Sequence, residues 1–385
     1  MIYLDNAAST PVHEKVIEEM IPYFKEQYGN PSSIHSYGRL SRKAIQNARK
    51  RIASLINAED GEILLTSGGT ESNNTAHYGI THQKKGKHII TSSVEHDAIL
   101  EPCKRLEEEG FQITYLPVDR RGLVNPEDVE KEISSDTCLV SIMFANNEVG
   151  TIQPIKEIGK ITHEKKVTFH TDAVQAIGKI PIDVRDLKVD LLSMSSHKIN
   201  GPKGVGALYI RKGVKIDPLI LGGGQENGLR SGTENVASIV GFGKACQLAK
   251  DNMEQNQEHM RRLARKLVFE ILKEIPHTTL NGHPEKRIPN NIHLTFLGVN
   301  GEDLIIKLDE NGIAASTGSA CSVRVQKASH VLKAMGFSHE QITGSLRLTV
   351  GILNTKKEIE ETVRVLKKVV NELRAVSPYK EKYNF

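Results

Sequence analysis

The chain has 385 residues, which is enough for one large domain and a second, smaller one. Its 51 Lys and Arg residues nearly balance its 47 Asp and Glu residues and are scattered along the chain, which argues against direct binding of nucleic acid. No apolar run approaches the roughly 18 residues of a membrane span. The N-terminal segment resembles neither a signal nor a transit peptide, so we expect a cytoplasmic protein.

Seven short apolar runs between residues 60 and 210 predict the strands of one sheet. They are rich in Ile, Val and Leu on both faces, which is typical of strands that helices cover on both sides. We therefore expect an α/β fold with a largely parallel sheet, and ligands at the carboxyl ends of its strands. The runs are EILLTS, HIITSS, ITYLPV, CLVSIMF, VTFHTDA, LLSMSS and VGALYI.

The C-terminal part of the chain predicts a smaller α+β domain. The runs IHLTFL and LRLTV predict strands, and a capping box from Thr355 to Glu358 opens a helix whose apolar residues recur at three- and four-residue spacing. The N-terminal IYLDNAASTP predicts a strand and a turn. We expect a large domain over residues 15–259 and a small domain formed by residues 1–14 and 260–385.

A glycine turn separates the first strand of the large domain from a helix. In LTSGGTESNN the helix is expected to begin near Thr70, so the N–H groups of Gly69 and Thr70 can hold a phosphate at its positive end. The segment is not a P-loop, because no Gly-Lys-Ser or Gly-Lys-Thr follows. A glycine turn before a helix is also ordinary architecture, so the motif alone does not identify a ligand.

A carboxylate and a lysine follow two other predicted strands. Asp172 ends VTFHTD, and Lys198 follows LLSMSSH. Pyridoxal 5'-phosphate (PLP) requires this pair, because its aldehyde forms a Schiff base with a lysine and its pyridine nitrogen is kept protonated by a carboxylate. His170 and Asp172 also match two ligands of a two-His, one-carboxylate iron site, although that site is expected on a small all-β barrel.

Two further segments also follow apolar runs. His96 in SSVEHDAI is by default a satisfied polar residue, but at a strand end it can stack on a cofactor ring or move protons near neutral pH. The amides of NNEVG, residues 146–150, can donate to a ring oxygen or a substrate carboxylate, or cap a turn.

The four cysteines show no metal-binding spacing, so we expect no metal site built by this chain alone. Cys138 and Cys246 lie in apolar stretches that are typical of buried thiols. Cys321 lies instead in STGSACSVRV, among small residues that are typical of an exposed loop. Cys321 is therefore the cysteine whose surroundings predict an exposed thiol rather than a buried one.

Nine segments, in chain order, resemble the cysteine desulfurases, which belong to the class V aminotransferase group of fold type I PLP enzymes. The resemblance runs from residue 3 to about residue 375. The segments are LDNAASTP, NPSSIHSYGR, TSGGTESNN, VEHDAI, NNEVGTIQPI, HTDAVQAIGKIPID, SSHKINGPKGVGALYIR, GGGQENGLRSGTENV and STGSAC.

The resemblance implies a role for each matching residue. Lys198 would form the Schiff base, Asp172 would pair with the pyridine nitrogen, and Cys321 would accept the sulfur. His96 would stack on the ring and take part in proton transfer. The other implied residues are Gln175 for the ring hydroxyl, Gly69, Thr70, Ser195 and His197 for the phosphate, Thr233 from the partner subunit of a homodimer, and Asn147 and Arg347 for the substrate.

The implied activity is the removal of sulfur from L-cysteine, which gives L-alanine and a persulfide on Cys321. The persulfide would pass to an iron–sulfur scaffold or another acceptor protein, with tRNA thiolation as a further use and Cys321 as a shared cluster ligand with the scaffold. Selenocysteine lyase is an alternative on the same fold, and a non-catalytic sulfur relay or scaffold is an alternative of another class. Val323, Arg324 and Val325 stand where the family commonly carries smaller, more polar residues.

Overall fold

A seven-stranded sheet forms the centre of the large domain in the computed structural model, which describes residues 1–318 and 328–383. The strand order is β2-β8-β7-β6-β5-β3-β4, and every neighbouring pair from β7 to β4 is parallel. Only β8 runs antiparallel to its two neighbours. All seven predicted strands are confirmed: β2 (Ile63–Thr66), β3 (His88–Ser92), β4 (Gln112–Leu116), β5 (Thr137–Ser141), β6 (Thr168–Asp172), β7 (Leu191–Ser195) and β8 (Gly206–Ile210).

Helices cover both faces of this sheet, and the apolar side chains of its strands divide between two buried clusters. This explains why the strands are apolar on both faces. The helices of this part are α1 (Glu14–Met20), α2 (Pro22–Lys25), α3 (Ser36–Leu55), α4 (Gly69–Gln83), α5 (Asp97–Glu108), α6 (Pro126–Glu132), α7 (Ile155–Lys165) and α8 (Val236–Asp251), with short 3-10 turns at Asp60–Glu62, Ser196–Lys198 and Glu226–Gly228.

A three-stranded antiparallel sheet, β12-β10-β9, forms the core of the smaller unit with its own buried cluster. The α+β character of this region is confirmed, as is the capping box, in which the Thr355 hydroxyl accepts from the N–H of Glu358. The elements are α9 (Met253–Glu274), β9 (Thr278–Leu280), β10 (Asn291–Phe296), α10 (Gly301–Glu310), β11 (Ile313–Ala314), α11 (His330–Ala334), α12 (His339–Thr343), β12 (Ser345–Thr349), α13 (Lys356–Ala375) and α14 (Lys380–Tyr383).

The N-terminal strand β1 (Ile2–Tyr3) joins this smaller unit by pairing in parallel with β11. Leu4 is fully buried in the same apolar cluster. The predicted boundary between residues 259 and 260 falls inside α9, and the division into two domains stays a prediction. No helix in the described ranges is long and apolar enough to cross a membrane.

Three cysteines are buried and unoxidised. Burial raises the pKa of Cys103 to about 12 and that of Cys138 to about 11, and it also raises the pKa of Cys246. These thiols stay protonated at neutral pH and are poor nucleophiles. The predicted loop around Cys321, including Val323, Arg324 and Val325, lies outside the described residues.

Candidate active site

The Asp172 carboxylate lies at the carboxyl end of β6 and is fixed by two donors. Its Oδ2 atom accepts from the Asn73 side chain on α4 at 2.7 Å, and Oδ1 accepts from the N–H of Val174 at 2.9 Å. Asp172 is only 7% exposed. The two hydrogen bonds fix the orientation of this buried carboxylate.

The carbonyl oxygen of Ala7 connects Lys198 with Gln175. Lys198 ends the 3-10 turn after β7, and its Nζ donates to the carbonyl oxygens of Ala7 at 2.5 Å and Ala8 at 2.8 Å. The Gln175 amide donates to the same Ala7 oxygen at 3.0 Å. The N-terminal LDNAASTP segment therefore forms one wall of the site.

The first turn of α4 approaches the ends of β6 and β7. The helix begins at Gly69, one residue before the expected start, and a Cβ atom there would lie 2.7 Å from Val174 Cγ2 and 3.6 Å from Ser195 Cβ. Only glycine permits this approach without displacing Val174. The N–H groups of this first turn, at Gly69 and Thr70, have no partner within the helix and are available to an anion.

His197, beside Lys198, is held in its neutral form. Burial, together with the charges of Lys198 and Lys203, lowers the pKa of His197 to about 4. Its Nδ1 lies 3.3 Å from the Ser9 hydroxyl. A neutral imidazole has one nitrogen that donates and one that accepts a hydrogen bond. Which nitrogen of His197 donates therefore depends on the groups that the two nitrogens contact.

His96 immediately precedes α5, and its ring is oriented by that helix. Nδ1 accepts from the N–H of Ala98 at 3.0 Å, so a neutral ring carries its proton on Nε2. His96 and Thr70 line one cavity of about 430 Å³ between α4 and α5. The structure thus places two predicted site residues from different strand ends beside the same space.

Arg347 lies on β12 and is 3% exposed. Its Nη2 pairs with Asp5 Oδ1 at 2.9 Å, and Nη1 donates to the carbonyl oxygens of Asn147 at 3.0 Å and Gly318 at 3.3 Å. Arg347 Nε and Asn147 Oδ1 are buried without a partner in the described part of the chain. Such orphaned atoms are rare in proteins and here indicate a place for a polar ligand.

Thr233 is exposed in the loop before α8. This loop is connected to the first turn of α4 by an ion pair, because Arg230 Nε lies 2.9 Å from Glu71 Oε1. The nearby glycine cluster at residues 222–228 is also held in place, since Glu226 forms a two-pronged ion pair with Arg49 at 2.8 and 2.6 Å. Cys321, the remaining predicted site residue, lies outside the described residues.

The alternative iron site finds no support at His170. Its Nδ1 lies 2.8 Å from the Ser141 hydroxyl and its Nε2 lies 2.9 Å from the Ser193 hydroxyl, and the ring is fully buried. Both nitrogens are therefore already engaged. The described ranges contain no group of three or more His, Cys, Asp or Glu side chains that could hold a metal ion.

Four residues of this region were missed by the sequence analysis: Asp5, Asn73, Glu148 and Lys179. Each lies in one of the segments that resemble the cysteine desulfurases, but the sequence around it does not indicate which residue it contacts. Glu148 is buried, which raises the pKa of its carboxyl, and its Oε2 accepts from the Ser329 hydroxyl at 2.5 Å. A charged residue inside a run such as QAIGKIPI was the one available hint for Lys179.

These features define an α/β protein with a polar site between a sheet covered on both faces and a smaller α+β unit. The family model for Aminotransferase class-V matches residues 2–362. The chain is 54% identical to a cysteine desulfurase IscS of Methanosarcina thermophila over 98% of this chain and 94% of that protein. The chain belongs to the class V aminotransferase family and, within it, to the cysteine desulfurases.

Solved structures agree with this family membership. One of a NifS-like protein is 40% identical, with a TM-score of 0.91, and covers 96% of this chain and 99% of its own. Another, of SspA in complex with cysteine, is 37% identical, with a TM-score of 0.81, and covers 92% of this chain and 100% of its own. The predicted fold class is confirmed.

Proposed function

We propose that this chain is a PLP-dependent cysteine desulfurase that converts L-cysteine to L-alanine and carries the sulfur as a persulfide on Cys321. Class V aminotransferases are PLP enzymes. The observation that carries the proposal is the placement of Asp172 at the carboxyl end of β6 and of Lys198 in the turn that follows the neighbouring strand β7. No observation favours selenocysteine lyase or a non-catalytic relay over this activity.

The described residues fit the cofactor. The missing Cβ of Gly69 leaves room where α4 approaches the strand ends, and the Asn147 Oδ1 atom is buried without a partner in the described ranges. Asp172 is a carboxylate that Asn73 of α4 holds in one orientation. When bound, PLP supplies an aldehyde for the lysine amine and a ring that withdraws electrons from the substrate Cα.

Each residue of the large domain then has a defined task. Lys198 holds the cofactor and moves the proton to and from the substrate Cα, and Asp172 keeps the proton on the pyridine nitrogen. Gln175 donates an amide N–H to the ring hydroxyl. The N–H groups of Gly69 and Thr70 hold the phosphate with Ser195 and His197, as at other helix N-termini.

The substrate carboxylate binds to Arg347 and Asn147. The guanidinium offers its unpartnered Nε–H, and a planar donor pair is suited to a carboxylate. His96 stacks on the ring and carries a mobile proton on Nε2, because its Nδ1 is engaged by the helix start. Binding of L-cysteine in this place is in keeping with SspA, whose solved structure contains cysteine.

Cys321 takes the sulfur by nucleophilic attack of its thiolate on the substrate sulfur. A sulfur–sulfur bond forms, the carbon–sulfur bond breaks, and protonation of the carbon gives L-alanine. Arg347 anchors the Gly318 carbonyl, near the start of the segment that carries Cys321. The persulfide then passes to an iron–sulfur scaffold or another acceptor protein, and Cys321 can share a cluster with that scaffold.

We propose that the enzyme is a homodimer and that Thr233 completes the phosphate site of the partner. Several large apolar side chains are exposed on the single chain, which is typical of a surface that another subunit covers. Thr233 is exposed on a loop that the ion pair of Arg230 with Glu71 ties to its own subunit, so its side chain is accessible to a partner. Four of these apolar residues are Phe24, Tyr28, Ile34 and Leu221, which are 66%, 70%, 88% and 79% exposed.

An absorption spectrum with PLP and an activity assay test this proposal. The wild type should show a visible band that is lost in Lys198→Ala, and should form sulfide and alanine from L-cysteine and dithiothreitol. Cys321→Ser should keep the band and form no sulfide, whereas Cys138→Ala, a buried cysteine, serves as a matched control. A colourless wild type, or wild-type rates in Cys321→Ser, would contradict the proposal. Selenide release measured beside sulfide release separates the two lyase activities.

A further inference from the structure

Lys179 is a buried lysine in the segment that follows β6. It is 5% exposed, and its Nζ donates to the backbone carbonyl of Gln175 at 3.0 Å and reaches the side-chain Oε1 of Gln175 at 3.5 Å. Burial, with the charge of Lys198 nearby, lowers the pKa of Lys179 to about 7. Within the described residues no carboxylate lies at ion-pair distance from this amine.

A buried amine without a counterion is costly, because it either keeps its charge in a desolvated place or gives up its proton near neutral pH. An apolar residue of similar length would pack in this place more favourably, as it does at many other positions of the same core. The presence of lysine here therefore points to a task besides stability. The task must concern Gln175 or Lys198, because these are the residues with which the amine interacts.

The amine selects one orientation of the Gln175 amide. A glutamine amide can be turned by half a revolution with little change of shape, which exchanges its donor and acceptor ends. The amine of Lys179 carries N–H donors and faces Oε1, while the Ala7 carbonyl can only accept and faces Nε2. Both neighbours thus favour the same orientation, and the second N–H of Nε2 is left for another acceptor.

We propose that Lys179 is a positioning residue, which fixes the Gln175 amide so that its N–H end faces the ring hydroxyl of the cofactor. This inference rests on the proposed function. The Ala7 carbonyl that accepts from Gln175 also accepts from Lys198 at 2.5 Å, so the amide that Lys179 orients shares this acceptor with Lys198. Lys179 and Lys198 line one cavity of about 350 Å³, so the two amines lie beside the same space.

The test is a pH titration of the visible absorption of the PLP-loaded enzyme. The protonated and unprotonated forms of the lysine–cofactor linkage absorb differently, so the titration gives the pKa of that linkage. Lys179→Met removes one of the two neighbours that favour this orientation and leaves only the Ala7 carbonyl. The amide should then turn in a larger fraction of molecules, and in those molecules the ring oxygen loses its hydrogen bond from Gln175. A donor to that oxygen favours the unprotonated linkage, so its loss should raise the pKa of the linkage by about one unit.

A double variant shows whether Lys179 acts through Gln175. In a Gln175→Leu background the further change Lys179→Met should shift the pKa of the linkage by less than half as much as in the wild type. An equal shift in both backgrounds would overturn the proposal, since it would reflect the charge alone. An unchanged pKa of the linkage in Lys179→Met would overturn it as well.

Two outcomes keep this inference separate from the proposed function. A wild type that forms no visible band with PLP overturns both, whereas a wild type with a band and an unshifted Lys179→Met overturns the role of Lys179 alone. If Lys179→Met does not fold, Lys179→Gln replaces it, because its amide can still bind the Gln175 carbonyl but has no obligatory donor end. It should then show the same upward shift, and a pKa of the linkage equal to that of the wild type would overturn the proposal.

Discussion

Arg347 and Asp5 form a buried ion pair of 2.9 Å between residues that are 342 positions apart in the chain. Arg347 is 3% exposed and the Asp5 side chain 18% exposed, so water screens the pair little on the side of the arginine. Asp5 therefore already neutralises the cation that the proposed function assigns to the substrate carboxylate. The two carboxylates compete for one guanidinium.

Asp5→Asn should lower the KM for L-cysteine. Without the negative charge of Asp5, Arg347 attracts the substrate carboxylate more strongly. The KM should decrease about fivefold, which corresponds to about 1 kcal/mol. Steady-state kinetics measure it, with the exposed Asp251→Asn as a matched control. Arg347→Lys should have the opposite effect and raise the KM, since lysine lacks the planar donor pair. A raised KM in Asp5→Asn would mean that Asp5 orients Arg347 for the substrate instead.

Asn73→Ala should weaken the retention of PLP. The Asn73 amide is one of two donors to Asp172, and its loss leaves the Oδ2 atom of a buried carboxylate without this hydrogen bond. Loss of a hydrogen bond to a charged group costs about 1.5 to 3 kcal/mol, so the Kd for PLP should rise at least about tenfold. Equilibrium dialysis against PLP measures the change. Asn311→Ala, which removes an exposed amide at the C-terminal end of α10, should leave the Kd unaltered.

The stability of the protein should fall in acid partly because of His77. This ring is fully buried, and burial lowers its pKa to about 4 from an ordinary value of 6.5. Below pH 6.5 the unfolded chain binds a proton that the folded chain does not bind until about pH 4. The free energy of unfolding therefore decreases as the pH falls through this window and is insensitive to this group above it.

His77→Phe removes that contribution. Between pH 7.5 and pH 5 the free energy of unfolding should decrease in both proteins. The decrease should be about 2 kcal/mol larger in the wild type than in His77→Phe. Urea unfolding at the two pH values measures this difference, and the exposed His163→Gln serves as the matched control. Equal losses in wild type and His77→Phe would show that the folded protein admits a proton at His77.

Thr355→Ala should destabilise the helix α13. The Thr355 hydroxyl accepts from the N–H of Glu358, and the Glu358 carboxylate accepts from the N–H of Thr355 at 2.7 Å. Loss of such a cap costs about 1 kcal/mol. The thermal midpoint should decrease accordingly, while Thr355→Ser, which keeps the hydroxyl, should retain most of the stability. Equal midpoints for Thr355→Ala and the wild type would mean that the cap contributes nothing.

The seven strands of the large sheet could be predicted because burial on both faces leaves a direct signature, a run of apolar residues without alternation. The start of α4 was predicted to within one residue, because a glycine turn and a helix N-terminus are both local features. The pairing of β1 with β11 and of Asp5 with Arg347 could not be predicted. Their partners lie more than 300 positions away, and no local pattern encodes such a distance.

The site shows the same division. The positions of Asp172 and Lys198 at one edge of the sheet could be predicted because each follows its own apolar run, and their roles stay a prediction. The contacts that orient them come from elsewhere in the chain: Asn73 from α4 and the Ala7 carbonyl from the N-terminal segment. Every residue has a backbone carbonyl, so the residue types alone do not indicate that the carbonyl of Ala7 contributes to the site.

The wall formed by Ala7 and Ala8 has a consequence for how the enzyme is made. These residues are translated long before β11 and Arg347, but β1 needs β11 and Asp5 needs Arg347 before the N-terminal segment can be held beside Lys198. The sheet of the large domain is complete by Ile210, well before those partners have been translated. A nascent chain can therefore fold most of its core while its lysine still lacks that wall. Acquisition of PLP is therefore expected only after β11 and Arg347 have been translated and have folded onto the N-terminal segment.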